Sequence, residues 1–428
     1  MSNSSVGEKM LSLAKELFPL NRSIMGPDIR HSLEVFRKKH SEFELIEFPT
    51  GDQVFDWEIP QEWNIRDAYI EHESGKRFAL FSESNLHVMG YSMPVNKILC
   101  KEELLDHIHT HPHDRGAIQY VTSYYKKDWA FCMTQDEVDE LPEGMYRVVI
   151  DSDFKDGSLS LQEAVIQGTT KKEIFFSSYL CHPSMANNEL SGPVLLSQII
   201  DYVKSIPNRA YTYRFVLLPE TIGSIAYLSC RKDELKENVV CGYNLSCVGD
   251  ERAYSHVESR YGNNLADIAL KAALINKENV INYSFLERGS DERQYCAPGI
   301  DLPVCTFCRS KFGRYPEYHS SKDDFNVVTA TGLEGSFEVM RTIIDSFEMG
   351  VYPKINVFCE PQLGKRGLYP STSKLYKGKH PAQMRMDVIA YCDGRISVYD
   401  IANKLSINLA DVLEEIKTLI DFDLVEMV

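Results

Sequence analysis

Histidine and carboxylate side chains occur at three places where they could do chemistry together. His182 follows an apolar segment and precedes a polar loop with Asn188 and Glu189, Glu220 ends a second apolar segment, and His319 precedes a predicted helix. Imidazole nitrogens and carboxylate oxygens are ligands that zinc takes in proteins. A carboxylate at the end of an apolar segment is desolvated, which raises its pKa and suits it to accept a proton from water. We therefore predict a metal site with His182, Glu189 and His319 as ligands and Glu220 as general base.

Each of these residues also has an ordinary structural explanation. The loop after His182 could cap the following helix, Glu220 could sit exposed at a helix N-terminus, and His319 could be a plain loop residue. The sequence alone leaves these alternatives open. Two further residues are candidates for substrate contact: Arg293, whose guanidinium can hold a carboxylate, and Tyr318, which precedes His319.

Alternating strand and helix patterns must position these residues. Apolar strands that alternate with helices predict an α/β fold with a mostly parallel sheet. In such folds the functional residues gather at the carboxyl ends of the strands, which is where His182 and Glu220 fall. The predicted strands are 161–166, 173–180, 214–218, 239–245 and 302–307, and the predicted helices are 192–205, 222–236, 262–275 and 329–348.

Changes in composition and in predicted secondary structure divide the chain into domains. Residues 54–150 are rich in aromatic residues and short β-like runs, and predict a small β-domain inserted into the α/β domain. The α/β domain would then comprise residues 1–53 and 151–352. After a loop-like stretch, 353–379, residues 380–428 predict three short helices and a wing strand, which is typical of a winged helix-turn-helix.

The predicted recognition helix of this last module is acidic. Residues 409–421 contain four carboxylates and one lysine, whereas phosphate contact supplies most DNA affinity. We therefore expect the module to contact protein, for example in a homodimer, and expect no nucleic-acid partner. Ser397 and Asn408 are the predicted N-caps of helices 398–405 and 409–421.

The composition narrows the possible partners. The 428 residues include 46 Lys and Arg against 62 Asp and Glu, a formal charge of −16, which argues against nucleic acid or an anionic membrane as the main partner. No apolar run approaches the ~18 residues that span a bilayer, and the N-terminus lacks a secretory signal pattern, so we expect a cytoplasmic location. The 11 cysteines are too sparse for a disulfide scaffold and are expected to be reduced.

Four histidines alternate between His107 and His113. Pro112 interrupts the strand-like pattern that would put them on one face. We interpret the stretch as a loop without a metal, with a contribution to the catalytic cleft as the alternative.

The order of the candidate residues resembles that of the co-catalytic zinc aminopeptidases, the clan of bacterial leucyl aminopeptidase and the glutamate carboxypeptidases. The resemblance rests on His182, on 186–192, on Glu220 before Gly223 and Ser224, on Ser290 and Asp291, and on Tyr318-His319-Ser320. The sequence is more similar still to a bacterial peptidase-like subfamily in which an aminopeptidase-like domain carries an inserted β-domain and ends in a winged helix. The resemblance implies an α/β/α core with a mostly parallel mixed sheet and a zinc-dependent activity.

The sequence departs from the clan at the metal ligands. The clan's metal-bridging Asp falls at Asn188, with Glu189 beside it as a substitute, and the later Asp is replaced by Ser246, with Asp250 just beyond. The clan's Glu-Glu pair is reduced to Glu220 alone. Because two zinc ions share a bridging carboxylate, these changes favour one zinc over two. We predict that Asn188, Asp250 and Asp291 are either alternative metal ligands or residues that hydrogen-bond to the ligands.

Three functions are compatible with these residues. The first is a zinc-dependent aminopeptidase-type hydrolase that cleaves a peptide or other amide of a small substrate. The second is a degenerate, non-catalytic relative that serves as a binding or scaffold protein, which Asn188 and Ser246 favour. The third is a transcription regulator with a sensing domain, which the winged helix suggests and its charge disfavours.

Overall fold

A mixed eight-stranded sheet forms the centre of the computed structural model, which describes residues 4–369 and 381–428. Its strand order is β1-β10-β12-β11-β13-β16-β14-β15. The strands, including those outside this sheet, are β1 (Glu44–Pro49), β2 (Gln53–Val54), β3 (Trp57–Glu58), β4 (Glu62–His72), β5 (Arg77–Phe78), β6 (Val95–Cys100), β7 (Ile108–His109), β8 (Phe131–Cys132), β9 (Met145–Lys155), β10 (Ser158–Ile166), β11 (Glu173–Tyr179), β12 (Thr212–Leu218), β13 (Val239–Leu245), β14 (Tyr254–Val257), β15 (Val280–Tyr283), β16 (Val304–Cys308), β17 (Pro353–Ile355) and β18 (Val425–Met427).

Helices pack on this sheet and confirm the predicted α/β fold. The middle strands β12, β11, β13 and β16 are parallel to one another, and β11 and β12 are buried along their whole length. The helices are α1 (Val6–Leu17), α2 (Pro27–Lys39), α3 (Lys101–Leu105), α4 (Gln135–Asp139), α5 (Ser191–Ser205), α6 (Ile222–Asn238), α7 (Leu265–Ala273), α8 (Glu292–Tyr295), α9 (Ala330–Met349), α10 (Pro381–Ile389), α11 (Val398–Leu405) and α12 (Leu409–Asp421). No helix in the described ranges combines the length and apolarity needed to cross a membrane.

A glycine lets helix α5 begin directly against the strands. A Cβ atom on Gly192 would lie 2.3 Å from Ser178 Oγ and 2.4 Å from the Leu245 carbonyl oxygen, closer than real Cβ contacts allow. Only glycine fits such a close approach of helix and sheet. The polar loop between β11 and α5 is therefore held at the carboxyl ends of β11 and β13.

A second, antiparallel sheet is inserted between β1 and β10. Its strand order is β5-β4-β9-β6, and β9 runs on to Lys155, just before β10. Buried residues of this sheet share one apolar core with α6 and with one face of the central sheet. The inserted β-domain thereby lies against the central sheet and contributes to the same interior.

The C-terminal helices and strand β18 form the predicted winged helix. Ser397 and Asn408 accept hydrogen bonds from the first turns of α11 and α12, as expected of N-caps. Strand β18 pairs with β17, which lies in the stretch 353–379 that the sequence predicts as a loop. Residues 370–379 of that stretch, and residue 380, lie outside the described residues.

Candidate functional site

A pocket of about 280 Å³ lies where β11 and β12 end. Four predicted site residues line it: His182, Glu220, Arg293 and His319. The other lining residues come from the α/β domain and from the inserted domain; they are Ile24, Trp57, Tyr120, Thr122, Tyr124, Tyr125, Cys181, Thr221 and Ile222. The fold thus brings together side chains that are far apart in the sequence.

His182 is oriented by a buried carboxylate behind it. Its Nδ1 lies 2.6 Å from Glu189 Oε2, while Glu189 Oε1 accepts a hydrogen bond from the Cys181 backbone N–H. Arg22, which is also buried, holds the other side of this carboxylate at 3.8 Å and donates to the His182 carbonyl oxygen. Glu189 is not among the residues that line the pocket. Instead it fixes the His182 ring so that Nε2 points away from it, the arrangement found behind many metal-bound histidines.

Glu220 enters the pocket from a strained turn. The Ile222 N–H donates to the Glu220 carbonyl oxygen across Thr221, whose φ is +65° and ψ −77°, a conformation that costs energy for a β-branched residue. Glu220 Oε2 comes within 3.9 Å of His182 Nε2. Burial raises the pKa of Glu220, against the opposing charges of His182 and Arg293. A raised pKa makes this carboxylate a stronger base, as a group that accepts a proton from water requires.

His319 contributes a neutral imidazole. Its φ is +55°, and its ring stacks on Tyr318 at 3.9 Å and meets the edge of Tyr120 at 5.2 Å. Burial, followed by the charge of His182, lowers the pKa of His319 to about 3. Its Nε2 is buried and has no hydrogen-bond partner among the described residues. Because buried polar atoms are normally paired, this nitrogen is expected to meet a ligand or an ion.

The inserted domain holds His319 in place through its backbone. The Tyr120 N–H donates to the His319 carbonyl oxygen at 2.8 Å, and the Ser321 N–H donates to the Ile118 carbonyl oxygen at 2.9 Å. Tyr318 does not line the pocket. It lines a wider cleft of about 960 Å³ and supports the His319 ring from that side.

The predicted alternative ligands Asn188 and Asp250 form hydrogen bonds with other protein groups. Asn188 Nδ2 donates to the Tyr179 hydroxyl at 3.1 Å, and the same hydroxyl lies 2.6 Å from Ser246 Oγ. The two positions where the clan has acidic ligands are therefore joined by neutral groups. Asp250 accepts hydrogen bonds from Asn187 Nδ2 and from the Ser310 backbone and hydroxyl, so it ties loops together outside the pocket.

Asp291 supports the strained turn. Its Oδ1 accepts hydrogen bonds from the Thr221 N–H and the Ser224 hydroxyl, both at 2.8 Å, and its Oδ2 is buried without a partner among the described residues. Burial, reinforced by the charge of Glu220, raises the pKa of Asp291 to about 7. The folded protein thus binds the Asp291 proton more tightly than the unfolded chain does.

This shift predicts a pH dependence of stability. The stabilisation that the Asp291 proton provides is fully present below the pKa of the unfolded chain and is lost as the pH rises from about 4 to about 7. Asp291→Asn keeps an acceptor for Thr221 and Ser224 but cannot titrate. We therefore expect the free energy of unfolding of the variant to fall less over this pH range than that of the unmodified protein. Urea unfolding across the range measures this, and parallel curves for the two proteins would contradict it.

Two groups of potential metal-binding side chains occur within the described ranges. One is Cys181, His182 and Glu189, and the other is His256, Asp267 and Cys305, which is buried away from the pocket. His256 Nε2 pairs with Asp267 at 2.8 Å, and Asp267 also accepts from Ser259, so this second group is a hydrogen-bonded structural cluster.

The alternating histidines lie outside the pocket. His107 stacks on Trp129 at 3.7 Å, while His111 and His113 line the wider cleft. His111 Nδ1 accepts backbone N–H groups, which is a loop arrangement.

Sequence reasoning did not assign roles to Arg22, Cys181 or Tyr120. A pattern search finds no signal for them, because their partners are distant in the chain. Tyr124 and Tyr125 also line the pocket.

Solved structures with the same fold include peptidases. A Clostridium acetobutylicum structure named "putative peptidase" is 37% identical, covers 99% of this chain and 96% of its own, and has a TM-score of 0.89. A zinc aminopeptidase from Bacillus subtilis is 12% identical, with coverage of 79% and 93% and a TM-score of 0.59. A Shewanella amazonensis protein named as an M28 peptidase precursor is also 12% identical, with coverage of 78% and 95% and a TM-score of 0.54. These likenesses confirm the predicted aminopeptidase-like fold.

Sequence comparisons give the family. A C. acetobutylicum protein named "Putative polysaccharide biosynthesis protein with aminopeptidase-like domain" is 39% identical over 405 residues, which are 94% of this chain and 92% of that protein. A winged helix-turn-helix family model matches residues 350–427. The model described as "Domain of unknown function (DUF4910)" matches residues 11–350, most of the chain, and the protein therefore belongs to this family.

Proposed function

We propose that the protein is a zinc-dependent amide hydrolase of the aminopeptidase type that acts on a small amide. The observation that carries this proposal is the convergence of two imidazoles and one partly buried carboxylate, His182, His319 and Glu220, on a single pocket. The aminopeptidase-like fold supports the reaction class.

We infer one zinc ion rather than two at these side chains. Histidine nitrogens are ordinary zinc ligands, and the unpartnered Nε2 of His319 is the kind of atom that a bound ion would satisfy. A second ion would need charged oxygens at Asn188 and Ser246, where the Tyr179 hydroxyl bridges neutral groups. One zinc ion would be held by His182 and His319, and when bound it would polarise the amide carbonyl and lower the pKa of its bound water.

The chain's own residues manage the proton and the substrate. Glu220 accepts a proton from the attacking water and passes it to the leaving amine, a role that its raised pKa suits. Glu189 keeps the His182 ring in one orientation, and Tyr318 does the same for His319. Arg293 orients the substrate from the pocket wall.

The name of the curated relative suggests where such an amide occurs. That protein is named for polysaccharide biosynthesis and for its aminopeptidase-like domain. We extend this to the present chain and propose an acylated amine of a sugar or sugar precursor as substrate. The small pocket supports a compact substrate over an extended peptide.

A non-catalytic binding protein is the second candidate. The hydrogen bonds among Tyr179, Asn188 and Ser246 favour it, because they occupy the place of two acidic ligands. Zinc content and turnover distinguish the two functions. The absence of both would favour the binding protein.

We expect protein dialysed against a chelator to take up one equivalent of zinc and to regain amide hydrolysis with it. Two imidazoles are one ligand fewer than the three usual in catalytic zinc sites, so the ion should be removed easily. Burial would lower the pKa of His182, but Cys181 and Glu189 raise it well above its usual value. Zinc must therefore displace a proton from His182, and zinc uptake should increase with pH. Elemental analysis gives the stoichiometry.

A triple variant provides the comparison for the zinc stoichiometry of the unmodified protein. Tyr179→Phe with Asn188→Asp and Ser246→Asp removes the bridging hydroxyl and supplies two carboxylates, so zinc uptake should rise towards two equivalents. Two equivalents in the unmodified protein would contradict the single-zinc site.

A further inference from the structure

We infer that the pocket selects a sugar-sized amide that carries a carboxylate, which Arg293 binds beneath an aromatic wall supplied by the inserted domain. This inference rests on the proposed function and names its substrate class.

Arg293 is a partly buried cation in the wall of the pocket. Among residues 4–369 and 381–428 it forms no ion pair, and the hydrogen bond that its guanidinium donates goes to Thr221 Oγ1. Its Nε is buried and unpartnered. Of the nearby carboxyl groups, Asp291 directs its Oδ1 to the Thr221 N–H and the Ser224 hydroxyl rather than to Arg293.

A carboxylate on the ligand would satisfy this cation. A buried charge is costly unless it is paired, and the planar guanidinium matches a carboxylate with two parallel hydrogen bonds. Arginine is the usual choice for such recognition because it stays charged even when it is partly desolvated. The chain has 62 acidic residues, yet none is paired with Arg293 among those described.

The inserted domain closes the pocket with aromatic rings. Tyr120 and Tyr124 line the interior, with their hydroxyls 3.0 Å apart. Trp57 and Tyr125 pack edge to face at 5.6 Å, and their exposed fractions are 36% and 61%. Large aromatic side chains left exposed beside a pocket are typical of ligand contact, since they offer flat apolar faces with polar edges.

The size of the pocket limits the ligand. A volume of about 280 Å³ lies at the lower end of the range for small-molecule sites, roughly 300–1,000 Å³. This suits one pyranose ring with an acylamino group. The flat C–H face of such a ring would pack on the tyrosines while its carboxylate meets Arg293.

A matched pair of sugars tests the inference. N-acetylglucosamine and its uronic acid, 2-acetamido-2-deoxyglucuronic acid, share the ring and the amide and differ by the carboxylate. Calorimetry with Glu220→Gln protein measures binding without turnover. We expect the acid to bind at least about tenfold tighter, an advantage in the range of a charge-assisted bidentate pair.

Arginine variants locate the effect. Arg293→Met should abolish the advantage of the acid over the neutral sugar, whereas Arg293→Lys should keep part of that advantage. Arg260→Met removes an arginine outside the pocket and should change neither affinity. Equal affinity for the two sugars, or no binding of either, would overturn the inference. Preference for the acid without zinc-dependent turnover in the unmodified protein would instead overturn only the proposed function.

Discussion

Glu220→Gln should lower the rate of amide hydrolysis by about 10²- to 10⁴-fold, the usual contribution of a general base. The glutamine side chain has nearly the same shape but cannot accept the proton of the attacking water. We expect zinc uptake to persist, because His182 and His319 are unchanged and both line the pocket with Glu220. Steady-state rates with an acylated amine, together with the zinc content, measure the two effects.

Glu237→Gln is the matched control for this variant. Glu237 lies near the C-terminal end of helix α6, which begins directly after the turn that carries Glu220. Its side chain is exposed and far from the carboxyl ends of β11 and β12. The substitution should leave the rate within about twofold, as expected of a surface change. Unchanged turnover in Glu220→Gln would exclude Glu220 as the base, and loss of zinc with activity would show that it is a ligand instead.

Arg22→Met should lower the free energy of unfolding by about 3–5 kcal/mol, the cost of removing one partner of a buried ion pair. Arg22 and Glu189 are both fully buried, and Arg22 also donates hydrogen bonds to the carbonyl oxygens of His182 and Leu17. Its loss leaves the Glu189 carboxylate buried without its cation. Denaturant unfolding gives the change in free energy.

Two further variants test whether the ion pair with Glu189 accounts for the loss of stability in Arg22→Met. Arg37→Met removes an exposed arginine paired with Glu34, and should cost no more than about 1 kcal/mol. Arg22→Met combined with Glu189→Gln should recover part of the loss, because the buried charge is removed from both sides. If the double variant is no more stable than Arg22→Met alone, the ion pair is not the source of the loss.

Local sequence patterns determined the elements that carry the site. The apolar runs of β11 and β12 and the helices α5 and α6 follow from periodicity over a few residues, and these elements lie close to their predicted bounds. The caps Ser397 and Asn408 act within one helical turn, so they were predictable too. Strands β14 and β15 were not predicted, since strands of only four residues carry a weak pattern of their own.

Long-range contacts decided how the site is assembled. Glu189 follows Asn188 in the chain, yet the fold turns it beneath His182 and towards Arg22, a residue about 170 positions earlier. The carboxylate that the sequence suggests as a ligand thereby becomes a support for one. No local pattern encodes this orientation, because it depends on where α1 ends relative to β11.

The sequence by itself determined which side chains stand at the strand ends and that acidic ligands are missing at Asn188 and Ser246. Only the tertiary structure decided that the Tyr179 hydroxyl joins those two positions and that the inserted domain closes the pocket with tyrosines. The physical reason is the range of the interactions. Strands and caps depend on neighbours in the sequence, whereas burial, pairing of charges and pocket shape depend on segments that meet only when the chain has folded.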